Sequence, residues 1–120
     1  MAKILIIDDE PDILRVVRFR LQKAGYEVIT AIDGEEGLRT AQTTVPDLIL
    51  LDLRMPKMNG EEVCRKLRSE EKFKSVPIIF LTASLQADVA IKAQEYGADG
   101  YLVKPFEPAE LLATIRKFVS

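Results

Sequence analysis

Four short runs of the chain are apolar at nearly every position: residues 4–7 (Ile-Leu-Ile-Ile), 48–51 (Leu-Ile-Leu-Leu), 78–81 (Ile-Ile-Phe-Leu) and 101–103 (Tyr-Leu-Val). A strand with one wet face alternates apolar and polar residues, whereas a run that is apolar throughout must bury both faces. Parallel strands covered by helices on either side do this. A fifth run, residues 26–31, is more mixed and reads as an edge strand with one solvated face.

The segments between these runs carry helical periodicity. In residues 11–24, Ile13, Val16, Val17 and Leu21 form one stripe, and Gly25 is placed to end the helix. Asp33 and Glu36 form a capping pair for a helix reaching to about residue 42. Residues 60–69 carry Val63, Cys64 and Leu67, and residues 87–96 carry Val89, Ala90, Ala93 and Tyr96 before the stop at Gly97. Pro108 suits a first helical position, and Leu111, Leu112, Ile115, Phe118 and Val119 supply the last apolar face. The charged faces of these helices read as solvated. β-α thus repeats five times in 120 residues, without a linker or a sequence repeat. Right-handed crossovers turn this into an α/β fold with a doubly wound parallel five-stranded sheet, one domain over residues 1–120. Five units are too few for a closed barrel.

Composition removes whole classes of chemistry. The chain has no histidine, so a Ser-His or Cys-His nucleophile and an imidazole metal ligand are ruled out. A metal would be held by oxygen, which favours Mg²⁺ or Mn²⁺. The net charge of −2 gives no basic field for nucleic acid or an anionic membrane. No apolar run approaches the roughly 18 residues that span a bilayer, and the run after Met1 is too short for a secretory h-region. The expected location is the cytoplasm. Cys64 is the single cysteine, so no internal disulfide can form, and it reads as a small core residue of its helix.

The strand ends carry the chemistry. The first run leads into Asp8-Asp9-Glu10, the third ends in Asp52, the fourth in Thr82 and the fifth in Lys104-Pro105. Open α/β sheets bind ligands outside the carboxyl ends of their strands, so segments 22 to 44 residues apart deliver these groups to one sheet edge. Alone, an acidic pair is ordinarily a solvated turn or a cap, Thr82 a strand-end hydroxyl and Lys104 an exposed cation. Together they form a constellation. Ionised together, Asp8, Asp9 and Asp52 would repel one another, and a divalent cation removes that conflict. Lys104 and the Thr82 hydroxyl suit phosphoryl oxygens. A carboxylate can act as the nucleophile, and phosphoryl transfer asks mainly for positioning and charge neutralisation.

These segments, with Asp52-Leu53-Arg54-Met55-Pro56-Lys57-Met58-Asn59-Gly60, Phe80-Leu81-Thr82-Ala83 and Lys104-Pro105-Phe106, resemble the motif set of the bacterial two-component response-regulator receiver domain, of the chemotaxis-receiver type. The resemblance covers essentially the whole chain. It implies a flavodoxin-like strand order 2-1-3-4-5 and a phosphoacceptor at Asp52. It implies metal ligation by Asp8, Asp9, Asp52 and the backbone carbonyl of Arg54, with Mg²⁺ as the ion and Mn²⁺ as an alternative. It further implies a phosphate-binding Lys104, a switch formed by Thr82 and Tyr101, and a cis Lys104–Pro105 peptide. Tyr101 also reads simply as a half-buried strand tyrosine. The donor would be a sensor histidine kinase or phosphotransfer protein. The output would be a partner protein or a covalently linked effector domain, engaged through the fourth helix, fifth strand and fifth helix, with no direct contact to nucleic acid or membrane. Such a domain is a signalling phosphoacceptor that assists its own phosphorylation and dephosphorylation, not an enzyme. Asn59-Gly60 stands where the family often has Asp-Gly, a change that either turn chemistry tolerates. Arg54 and Ser84 flank the site and could set the acyl phosphate lifetime.

Three rival readings remain at this level. A phosphorylation-independent interaction module would keep the fold and lose part of the constellation, which here is intact. A haloacid-dehalogenase-type phosphatase wants a second Asp where this chain has Arg54. A flavodoxin-like FMN carrier wants hydroxyls or glycines where Asp8-Asp9-Glu10 would repel phosphate.

Overall fold

In the computed structural model, which describes residues 1–83 and 93–119, five parallel strands run β1 (Lys3–Ile7), β2 (Glu27–Ala31), β3 (Leu48–Asp52), β4 (Ile78–Thr82) and β5 (Gly100–Val103). Their order is β2-β1-β3-β4-β5, the doubly wound flavodoxin-like order that the family resemblance implies. The connecting helices include α1 (Pro11–Lys23), α2 (Gly34–Thr44) and α3 (Gly60–Arg68), with a 3-10 turn at Glu71–Phe73 and a C-terminal helix at Pro108–Arg116.

Every residue of β3 and β4 is buried, as are four of the five residues of β1. Alternate side chains feed two cores. Ile4, Ile6, Leu48, Leu50, Ile79 and Leu81 pack with Leu14, Val17 and Leu21 of α1 and with Leu111 and Ile115 of the C-terminal helix. On the other face, Leu5, Ile7, Ile49, Leu51, Ile78 and Phe80 meet Val63, Cys64 and Leu67 of α3. Each fully buried aliphatic side chain contributes about 2 kcal/mol of transfer free energy, which is why these strands show so clearly in the sequence.

The helix ends follow local chemistry. Asp33 caps α2 by accepting from the Glu36 N–H at 2.8 Å, and Asn59 caps α3 by accepting from the Glu62 N–H at 2.9 Å. Helix α1 ends through Gly25 at φ +96°, with the Gly25 and Tyr26 N–H groups returning to Gln22 and Leu21 carbonyls.

The structure corrects several readings. Val16 is 56% exposed, because α1 turns Leu14, Val17 and Leu21 inward at spacings of three and four and leaves Val16 to the side. Phe118 is exposed because it lies beyond the last helical turn. Helix α2 runs two residues past the expected end, its Thr43 and Thr44 hydroxyls donating back to the Arg39 and Thr40 carbonyls, and closes at left-handed Val45. Tyr101 is exposed because β5 is an edge strand, not one buried on both faces. The helix expected over residues 87–96 lies, with Val89 and Ala90, outside the described residues apart from its last turn, and so does Ser84. Residues 93–95 are helical and end at Gly97, φ +88°.

Candidate functional site

From β1 the chain departs toward β2, and from β3 toward β4, so a crevice opens at the carboxyl ends where the strand order reverses. Backbone bonds beyond the strands hold its walls. The Asp8 N–H donates to the Ala31 carbonyl at 3.1 Å, Leu53 to Leu81 at 3.2 Å, and Lys104 to Thr82 at 2.7 Å. The Lys104–Pro105 peptide is cis. The loop after β3 folds back on that strand, and the Gly60 N–H donates to the Leu53 carbonyl at 2.9 Å. A Cβ at Gly60 would collide with the Asp52 carbonyl oxygen and with Leu53 Cα, so the sharp return needs glycine.

Four carboxylates, from Asp8, Asp9, Glu10 and Asp52, converge here, one oxygen of each lying within 4.8 Å of the others. Asp8 and Asp52 are buried, and Asp9 and Glu10 are exposed. Asp8 Oδ1 accepts from the Glu10 N–H at 2.9 Å. Asp8 Oδ2, fully buried, lies 2.8 Å from Lys104 Nζ, yet among the described residues it has no hydrogen bond of good geometry. Lys104 Nζ also lies 2.9 Å from Glu10 Oε1 and 3.6 Å from Asp52 Oδ1. The Arg54 N–H reaches Asp52 Oδ1 at 3.4 Å, which places the Arg54 backbone beside the cluster. Thr82 is buried at the end of β4, in register with Val103 just before Lys104. Tyr101, two residues before Val103, points to the surface and is 41% exposed.

Burial, and after it the Asp8 charge, pushes the Asp52 carboxyl up to about 7, against the opposing pull of Lys104 and the Arg54 N–H. For Lys104, burial works against the ammonium, but its close approach to Asp8 and Glu10 and the Asp52 charge outweigh it and raise its pKa. One lysine thus serves three carboxylates. An underserved buried oxygen among hard anionic donors suits an octahedral oxygen-seeking cation such as Mg²⁺. Cys64 lies away from this site. Its buried Sγ is 3.1 Å from the Tyr96 carbonyl oxygen, and burial pushes the thiol up to about 11, in keeping with a packing role.

The sequence reading brings Asp8, Asp9, Asp52, Thr82 and Lys104 to this edge, and the structure places them there. It overlooks Glu10 as a partner of Lys104, although Glu10 belongs to the same acidic run. It also overlooks Arg68 at the opposite end of the sheet. Arg68 Nε donates to the Gly97 carbonyl at 2.8 Å, its Nη1 to the Phe73 and Val76 carbonyls at 2.6 and 2.7 Å, and its Nη2 to Asp99 Oδ2 at 2.8 Å. This side chain is only 18% exposed, so that end of α3 is not simply a solvated charged face.

An open α/β sheet with an acidic crevice and a lysine at its switch point defines a class, and comparison with known proteins identifies it. The family model of the response regulator receiver domain matches residues 4–116, and the chain belongs to that family. It is 45% identical over 114 residues to the alkaline phosphatase synthesis transcriptional regulatory protein PhoP of Bacillus subtilis, covering 95% of this chain and 47% of that protein. The chain thus spans about half the length of the curated relatives it matches. Among solved structures it superposes on the chemotaxis response regulator CheY4 of Vibrio cholerae with TM-score 0.94 and 41% identity, over 99% of both chains. The receiver domain of sensor histidine kinase PA1611 from Pseudomonas aeruginosa, solved with a magnesium ion coordinated in its active-site cleft, aligns with TM-score 0.89 and 36% identity over 98% of this chain and 96% of that one. Receiver domains are signalling modules of two-component systems.

Proposed function

We propose that residues 1–120 form one receiver domain that accepts a phosphoryl group on Asp52 from the phosphohistidine of a sensor histidine kinase or phosphotransfer protein, in a Mg²⁺-dependent reaction. The observation that carries this is the grouping of buried Asp52 with Asp8 and Asp9 beside the Lys104 ammonium. Asp8, Asp9, Asp52 and the Arg54 backbone carbonyl would hold the Mg²⁺, or Mn²⁺, and the ion would supply charge neutralisation for the carboxylates and the phosphoryl oxygens. The magnesium in the PA1611 receiver domain supports this assignment.

An ionised Asp52 oxygen attacks phosphorus. The phosphorus–nitrogen bond breaks, its electron pair returns to the donor imidazole, and Asp52 becomes an acyl phosphate. Lys104 pairs with one phosphoryl oxygen and the Thr82 hydroxyl donates to another. Thr82 and Tyr101 form the switch. Inward movement of Thr82 frees space for the exposed ring of Tyr101, and the face made by β5 and the C-terminal helix changes shape for a target protein or a linked effector domain. The chain acts in the cytoplasm and contributes to its own phosphorylation and dephosphorylation without being an enzyme.

The test is labelling by phosphoramidate with Mg²⁺. Wild type and Asp47→Asn are expected to gain one phosphoryl group, and Asp52→Asn none. Asp47 is a fitting control because it precedes β3 at the far end of the same strand, where its Oδ2 accepts from the Lys3 N–H. Equal labelling of all three, or labelling without metal, would contradict the proposal.

A further inference from the structure

We infer that Glu10 is a positioning residue that holds the Lys104 ammonium back from Asp52 until a phosphoryl group draws it across. The inference rests on the reading of Lys104 as the counter-cation of that phosphoryl group. Three distances carry it: Lys104 Nζ stands 2.8 Å from Asp8 and 2.9 Å from Glu10, both hydrogen-bonding range, but 3.6 Å from Asp52. Glu10 occupies the N-cap position of α1, yet its side chain makes no capping bond. It reaches instead to a lysine 94 residues away. Of the three carboxylates, Asp8 and Asp52 are buried, and the Glu10 side chain is 57% exposed. Glu10 is therefore the partner whose contact can be broken at least cost, since water can replace the lysine.

The logic is competition. Phosphorylation turns a monoanionic carboxylate into a group carrying about two negative charges, and this stronger anion outbids Glu10 for the ammonium. The Glu10 contact must break first, so it sets a threshold against weak or transient occupancy of the acceptor. Removing it should leave Lys104 freer to face Asp52.

Wild type, Glu10→Gln and Glu10→Asp distinguish this role from a general effect of charge. Asp keeps the charge but is too short to span the gap. Calorimetry would first measure Mg²⁺ binding, then the phosphoryl mimic beryllium fluoride at saturating Mg²⁺. Nitrogen-15 NMR of the Lys104 ammonium in metal-free protein gives an independent readout. Both variants are expected to bind beryllium fluoride roughly three- to fivefold more tightly than wild type, the worth of one partly exposed ion pair, and both should shift the Lys104 signal. Glu10→Asp behaving like wild type while Glu10→Gln differs would overturn the inference in favour of charge alone. Unchanged affinity in both variants would also overturn it. So would a tenfold or greater loss of Mg²⁺ affinity in Glu10→Gln, which would mark Glu10 as a metal ligand. Failure of wild type to bind beryllium fluoride at all would instead remove the receiver reading beneath it.

Discussion

At Asp52, burial and the neighbouring Asp8 raise the carboxyl to about 7, and Lys104 and the Arg54 N–H pull it down. The unfolded chain has no such conflict, and there the group ionises near 3.8. Between these two values the folded state holds the proton that the unfolded state has lost, so stability must fall as pH rises from about 4 to about 7 in metal-free protein. Asp52→Asn removes that slope. Urea titrations with a chelator present, at several pH values across this window, should show wild type losing about 1–3 kcal/mol more than the variant; parallel profiles would contradict the assignment. Asp52, Asp8, Thr82 and Lys104 were legible in the sequence because each follows an apolar run that fixes its place in the fold. The Glu10–Lys104 contact was not, since no local pattern reports which of three carboxylates a flexible lysine approaches across 94 residues.

Among the elements, β1, β3 and β4 were the most readable because both their faces are buried. Strand β5 was less so. Its short apolar run suggests an interior strand, but it forms the sheet edge and turns Tyr101 outward. Helix α3 shows another limit. Arg68 sits among Arg65, Lys66 and Glu62, and by sequence it is one charge on a wet face. In space it closes α3 onto the start of β4 and onto residues 97–99, and Asp99 Oδ2 also accepts from the Ile78 N–H at 2.9 Å. Arg68→Ala leaves those carbonyls and Asp99 without their cation. It should cost about 2–4 kcal/mol of unfolding free energy, as expected when a hydrogen-bonded, largely buried charge is removed. Amide exchange in residues 97–99 should accelerate more than in β1. A surface-like loss below about 0.5 kcal/mol would show that the contacts carry no weight.

At the scale of the whole molecule, the sheet separates two tasks. Its amino-terminal edge, tied by Arg68, Asp99 and Asp47, is fixed by hydrogen bonds. Its carboxyl edge gathers like charges that Lys104 alone cannot satisfy, so stability is given up at the edge where the chemistry is proposed. The central claim is that this unfavourable grouping makes Asp52, and no other group, the phosphoryl acceptor. The most direct measurement is to phosphorylate the intact chain with phosphoramidate and Mg²⁺, reduce the acyl phosphate with borohydride, and map the product by peptide mass spectrometry. The account predicts that Asp52 alone is converted to homoserine. Conversion at Asp8 or Asp9, or an unreduced chain phosphorylated on a hydroxyl, would contradict it.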